Sequence, residues 1–189
     1  MADYTVGYFV GSLATNSINR TLAKALVKLA PAELAMTEIP FKDLPLYSYD
    51  YDANYPAVAT EFKNKIAAVD AVLFVTPEYN RSIPGGLKNA IDWASRPYGK
   101  NAFTRKPSAV IGASPGKIGT AVAQQHLRSI LAFCNSPLMN AIEAYIQFEP
   151  GLITSGGEVT NESTREFLRN FMAEFHGFIA RVHSVLTHA

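Results

Sequence analysis

One cysteine and one tryptophan are all this 189-residue chain has of either. Cys134 alone cannot form a disulfide within the chain, which excludes the stapled scaffold of small secreted domains and suits a reducing compartment. Charge of one sign is also scarce: 17 Lys and Arg against 16 Asp and Glu leave a formal net charge of +1, evenly spread. Nucleic-acid and membrane-surface binders need a concentrated basic face, so neither kind of partner is expected. No apolar stretch approaches the ~18 residues needed to cross a bilayer. Asp3 near the start, with no basic segment before the first apolar run, does not read as a signal peptide. Repeats, low-complexity tracts and internal linkers are missing too. What is present is 48% hydrophobic residues in a length that buries one sizeable core. One domain over 1–189 is expected, soluble and cytoplasmic.

Hydrophobic periodicity divides the chain into alternating elements. Residues 4–10 read as a strand, Gly11 to Ser17 as a small-residue loop, and Ile18, Leu22, Leu26 and Leu29 as one face of a helix that stops before Pro31. Leu34 to Ile39 is a second strand. Pro40 to Pro56, with three prolines and four tyrosines, reads as a long surface loop with a binding or assembly role. Val58, Phe62, Ile66 and Val69 mark the next helix, and Ala71–Val75 a buried strand. A helix follows Pro84-Gly85-Gly86, carrying Leu87, Ile91 and Ala94. Ser108 to Ala113 is the fourth strand, Val122 to Cys134 the fourth helix, and a fifth strand lies near Ala141–Phe148. Gly151 to Gly157 reads as a loose excursion. The last helix, capped by Asn161 or Ser163, runs to about Leu186 with Phe167, Phe171, Phe175, Phe178 and Val182 near one side. Five strands alternating with five helices imply a doubly wound α/β domain with a parallel sheet covered on both faces.

In such a sheet ligands bind at the carboxyl ends of the strands, so three loops matter. The first runs Gly11-Ser12-Leu13-Ala14-Thr15-Asn16-Ser17-Ile18-Asn19 at the amino end of a helix, where free N–H groups and the dipole favour a phosphate. Ser12, Thr15, Asn16, Ser17 and Asn19 add donors, more than a helix cap requires. The second, Pro77-Glu78-Tyr79-Asn80-Arg81-Ser82-Ile83-Pro84, is stiffened by two prolines. Its backbone suits the pyrimidine edge of a flavin, with Tyr79 as an apolar flank and Asn80 as donor and acceptor. Composition alone equally allows an ordinary Pro-rich turn. The third, Ala113-Ser114-Pro115-Gly116, closes the pocket.

Rival chemistries fail on particular residues. Gly-x-Gly-x-x-Gly is absent, and Gly112 to Lys117 is one residue short of a phosphate-binding lysine loop, with Ile118 where a magnesium-binding hydroxyl belongs. Gly112 to Gly116 matches the nucleophile elbow of serine hydrolases. Its oxyanion hole needs the N–H of the residue after the nucleophile, and Pro115 has none, which forfeits on the order of 3 kcal/mol. Ser114 is therefore a pocket hydroxyl. His126, His176, His183 and His188 have no company at ligand spacing, so no metal is expected. Cys134 continues the apolar stripe of Leu127, Ile130 and Leu131 and reads as core.

Four segments carry a resemblance. They are Gly11-Ser12-Leu13 with Ser17-Ile18-Asn19-Arg20; the run Thr76-Pro-Glu-Tyr-Asn-Arg-Ser-Ile-Pro-Gly-Gly-Leu-Lys-Asn-Ala-Ile-Asp-Trp93; Gly112-Ala-Ser-Pro-Gly116 with Gly119; and Gln125-His126-Leu127-Arg128. The chain resembles the NADPH-dependent FMN reductase family, in its quinone reductase or chromate reductase branch. The resemblance implies a flavodoxin-like fold and non-covalent FMN. Its phosphate would sit on Ser12, Thr15, Asn16, Ser17, Ile18 and Asn19, and its isoalloxazine against Pro77, Glu78, Tyr79, Asn80 and Ser114. It also implies a homodimer or homotetramer with Trp93 and Arg128 at interfaces, and two-electron reduction of a quinone by NADPH or NADH, the two substrates alternating at one site. That scheme asks for no side-chain acid or base; Glu78, Tyr79 and Arg81 would position ligands. The alternative from another class is a flavodoxin-type electron carrier without NAD(P)H turnover. One departure stands out: the family usually has an arginine after Gly-Ser-Leu, where this chain has Ala14.

Overall fold

The computed structural model describes residues 2–186; His188 lies outside them. Strands β1 (Tyr4–Val10), β2 (Leu34–Glu38), β3 (Ala71–Val75), β4 (Ser108–Ser114) and β5 (Tyr145–Gln147) form one parallel sheet in the order β2-β1-β3-β4-β5. Helices α1 (Ile18–Leu29), α2 (Ala57–Ala67), α3 (Gly85–Ser95), α4 (Ala121–Phe133) and α5 (Glu162–Leu186) cover it. This is the flavodoxin-like strand order that the resemblance implies, in the doubly covered parallel sheet expected from the alternation of strand and helix patterns.

The central strand shows why both faces are dry. Every residue of β3 is buried. Ala71, Leu73 and Val75 join the core beneath α1 and α5, while Val72 and Phe74 join the one beneath α2, α3 and α4. Alternate residues of a strand face opposite sides, so a run of five apolar residues serves both layers. Ser17 starts α1 by accepting the Arg20 N–H (3.3 Å), and Asn161 starts α5 by accepting the Thr164 N–H (2.9 Å).

Three expectations need correction. The 151–157 stretch is a tight hairpin: Ile153 bridges Val159, both are buried, and Gly157 approaches α1 so closely that a Cβ there would lie 2.8 Å from Lys24 Cβ. Lys24 Nζ donates to the Ser155 carbonyl at 2.9 Å and Lys28 pairs with Glu158, which holds the hairpin down. The buried seam of α5 is Leu168, Phe171, Met172, Phe175 and Ile179, so Phe167 and Val182 lie off it. The long loop after β2 is a strap over α3 containing a short 3-10 turn, Tyr49–Ala53. Trp93 Nε1 donates to the Pro45 carbonyl (2.7 Å), as does Asn89 Nδ2 (2.9 Å), and the Tyr47 N–H returns to Asn89 Oδ1 (2.8 Å). Tyr47, Tyr51 and Tyr55 ring the indole. Trp93 is therefore fully buried by its own chain and is not an interface residue.

Candidate active site

The strand order reverses between β1 and β3, and at such a switch point the loops leaving the two strands diverge and leave a crevice. Gly11 follows β1 there: a Cβ on it would lie 2.9 Å from Thr76 Oγ1 and 3.2 Å from Pro77 Cδ. The first and second loops are thus in direct contact. At the start of α1, Ile18 and Asn19 precede any intrahelical acceptor for their N–H groups, the condition that makes a helix start an anion site. Ser12 Oγ accepts the Ala14 N–H (3.3 Å) and Ser17 Oγ the Arg20 N–H. A hydroxyl that accepts still has its own proton to give. Thr15 and Asn16 are exposed. Thr15, Asn16, Ser17 and Ile18 line a cleft of about 320 Å³, shared with Lys24 and Phe148. The larger cavity, about 450 Å³ between β5 and the start of α5, contains none of the expected residues.

Asn19 departs from expectation. Its side chain is buried, with Nδ2 donating to the Ala113 carbonyl and Oδ1 accepting the Ala113 N–H, each at 2.9 Å. The amide is committed to bracing the third loop against the first, so only its backbone N–H remains for a phosphate. Arg20 is also committed: Nη1 lies 2.9 Å from both carboxylate oxygens of Glu38 at the end of β2.

The second loop is a two-residue hairpin. The Tyr79 N–H donates to the Ser82 carbonyl (2.9 Å) and the Ser82 N–H returns to Tyr79 (3.0 Å). Asn80 and Arg81 at its tip have φ of 50° and 62°. Consecutive positive φ values define the turn best suited to join twisted strands. Asn tolerates that region, whereas Arg at φ > 0 costs on the order of 1 kcal/mol. Glu78, expected at the ligand, is spent elsewhere. One carboxylate oxygen takes the Ala123 N–H in the first turn of α4 (3.1 Å), and the other takes Arg81 Nη1 (2.9 Å). Thr120, at a left-handed φ of 74°, makes no side-chain cap on α4, and its Oγ1 accepts from Gln124 Nε2 instead (3.0 Å). Glu78 supplies the missing cap from another loop, and its charge suits that dipole end. Tyr79 and Asn80 remain exposed at the crevice. Arg81 offers an anion only the charge left over from its pair with Glu78.

Ser114 donates to the Gly116 carbonyl (3.1 Å). No histidine shares that bond, and with Pro115 next to it the hydrolase alternative has neither base nor oxyanion donor. Arg128, expected at an interface, is buried by its own chain: Nη1 donates to the Met139 carbonyl (3.2 Å) and reaches Asn140 Oδ1 (2.5 Å). Among the described residues no group of three or more His, Cys, Asp and Glu side chains could hold a metal ion, and no helix is long and apolar enough to cross a membrane. The interactions that sequence reasoning missed, Glu78 on α4, Asn19 on Ala113 and Ser82 on His126 (3.1 Å), join residues 44 to 94 positions apart.

A donor-rich helix start beside a hairpin and a small third loop, in this strand order, can be compared with known proteins. Residues 4–151 match the NADPH-dependent FMN reductase family. The chain belongs to that family. It is 47% identical over 174 residues to a 2-hydroxy-1,4-benzoquinone reductase of Burkholderia sp, covering 92% of this chain and 95% of the relative. It is 46% identical over 177 residues to a quinone reductase of Pseudomonas putida, covering 93% and 95%. Among solved structures it is similar to FerB, a flavoenzyme NAD(P)H:(acceptor) oxidoreductase from Paracoccus denitrificans. That similarity has a TM-score of 0.90 and 46% identity, covering 94% of this chain and 98% of that one. The residues of this family member fit FMN: the first loop offers N–H and O–H donors without an opposing carboxylate, and the second and third present exposed tips to a flat ring.

Proposed function

We propose that this chain is an FMN-dependent NAD(P)H reductase that reduces quinones by two electrons, donor and acceptor occupying one site in turn. The observation that carries this reading is the crevice between β1 and β3, where the donor-rich start of α1 lies beside the Tyr79–Ser82 hairpin. Relatives of nearly the same length named for quinone and NAD(P)H:acceptor reduction support the substrate class. Bound FMN would accept a hydride from the nicotinamide and pass two electrons to the acceptor.

The chain's own residues bind and orient. Backbone N–H groups of Ile18 and Asn19, with the hydroxyls of Ser12, Thr15 and Ser17 and the amide of Asn16, would hold the phosphate. Pro77, Glu78, Tyr79 and Asn80, chiefly through their backbone, and Ser114 would flank the ring. The Glu78–Ala123 and Asn19–Ala113 bonds keep those loops in register. A homodimer or homotetramer is part of the proposal, supported by large apolar side chains left in solvent: Leu46 at 83%, Tyr98 at 88% and Phe133 at 86% exposure. So is a cytoplasmic setting, where nicotinamide donors and a lone thiol are both at home.

The test is an absorption spectrum of the protein reconstituted with FMN, followed by steady-state oxidation of NAD(P)H with a quinone. Stoichiometric flavin uptake and parallel double-reciprocal lines are expected. Colourless protein, or intersecting lines, would overturn the reading. Light scattering on the same sample reads the assembly, and a monomer would refute that part.

A further inference from the structure

Two-electron reduction of a quinone leaves one hydroquinone oxygen as an anion that needs a proton, and the hydride scheme names no group to give it. Several charged side chains at the carboxyl edge are already engaged. Glu78 holds Ala123 and Arg81, and Arg20 holds Glu38. The Ser114 proton goes to the Gly116 carbonyl. Of the three histidines in the described residues, His176 and His183 pack against Tyr4 at the start of β1, the opposite edge of the sheet. His126 alone stands at the site. It is exposed on the second turn of α4, with Nδ1 3.1 Å from Ser82 Oγ. Ser82 is the residue that Tyr79 pairs with across the hairpin, through both backbone bonds.

Resting on the quinone-reductase reading, we infer that Ser82 and His126 form a proton relay to the acceptor oxygen. When the imidazole is protonated both ring nitrogens are donors. Nδ1–H then donates to Ser82 Oγ, which turns the Ser82 hydroxyl proton outward as a donor. In the step itself the Ser82 O–H bond breaks as its proton passes to the hydroquinone oxygen. Ser82 Oγ takes the Nδ1 proton, and the neutral imidazole is reprotonated by solvent through its exposed face. Electrons come from NAD(P)H by way of the flavin, and the only net input here is one proton from water. Ser82 is the catalytic residue, and His126 acts through it. The charged or ionisable groups on the elements meeting here are Glu78, Tyr79 and Arg81 on the hairpin and Arg128 on α4. Glu143 and Tyr145 are reached through Gln125.

The two half-reactions separate this role from a merely structural one. In rapid mixing of FMN-loaded protein, bleaching by NAD(P)H involves no acceptor oxygen, and reoxidation by a quinone does. In His126→Gln, which keeps a hydrogen-bonding partner for Ser82 without a transferable proton, bleaching should hold within about twofold and reoxidation fall about tenfold or more. The reoxidation rate of the parent should decline as pH rises, and that dependence should vanish in both His126→Gln and Ser82→Ala. Independently of turnover, the His126 ring-proton NMR signal should move when 4-nitrophenol, a hydroquinone-anion mimic, is titrated in, and Ser82→Ala should abolish the movement. A pH-independent reoxidation, an unmoved imidazole signal, or equal loss of both half-reactions together with FMN affinity would overturn the relay. Failure of NAD(P)H to bleach the parent would instead sink the redox reading, and the nitrophenol titration would still decide whether the relay exists.

Discussion

Asn19 in the first turn of α1 brackets Ala113 near the end of β4, donating to its carbonyl and accepting its N–H at 2.9 Å each. That side chain braces the loops and has no polar atom left for an anion. Asn19→Ala leaves a buried donor and a buried acceptor without partners, at about 1–3 kcal/mol each. Urea unfolding of the flavin-free protein should therefore show a loss of about 2–6 kcal/mol. If the amide were instead a phosphate ligand, the flavin-free stability would stay put and only FMN affinity would fall.

Glu78 caps α4 from outside the helix. Glu78→Gln keeps an acceptor for the Ala123 N–H but removes the charge that suits the helix start and pairs with Arg81. A cost of about 1 kcal/mol is expected, which lowers the melting temperature by roughly 2–4 °C for a chain of this size. An unchanged melting temperature with a raised KM for NAD(P)H or quinone would return Glu78 to the ligand.

Much of the fold was legible because it rests on local pattern. Ala71–Val75 reads as a doubly buried strand from five apolar residues in a row, and Ile18–Leu29 from its spacing and the Ser17 cap. The site was legible as three loops, since each follows a strand, but not as a set of contacts. Nothing in Glu78 itself announces that Thr120 will adopt a left-handed φ of 74°, with its hydroxyl accepting from Gln124, and leave α4 without a cap of its own. Trp93 misled for a related reason. A lone aromatic on a helix suits an interface as well as a core, and the strap that buries it begins some 50 residues earlier in a loop with no periodicity to read.

Asp70 gives the protein an acid-sensitive joint at the edge away from the crevice. Burial opposes ionisation, but the N–H and O–H of Thr5, each 2.7 Å from Oδ2, and the nearby charges of His183 and Lys106 hold the carboxyl below its usual value. A folded-state pKa below the unfolded one contributes stability that is present above the unfolded value, ~3.9, and lost as pH falls through the folded value. The urea midpoint of the parent should therefore fall further between pH 5 and about 3 than that of Asp70→Asn. Equal falls would show that the carboxylate gains nothing from Thr5.

Ala14 is where the phosphate assignment is most exposed to test. It lies in the first loop, solvent-exposed, with its N–H on Ser12 Oγ. The one arginine nearby in sequence, Arg20, has its guanidinium on Glu38. An arginine at position 14 would offer a planar pair of donors to a phosphate, a hydrogen bond to a charged group being worth about 1.5–3 kcal/mol net. Fixing so long a side chain costs up to about 1.5–2 kcal/mol. The surplus, on the order of 1 kcal/mol, should make Ala14→Arg bind FMN about five- to tenfold tighter, read by quenching of flavin fluorescence in a titration. Riboflavin, which lacks the phosphate, should bind both forms equally. A gain shared by riboflavin would place residue 14 against the ring, and no gain for either flavin would remove the phosphate from the start of α1.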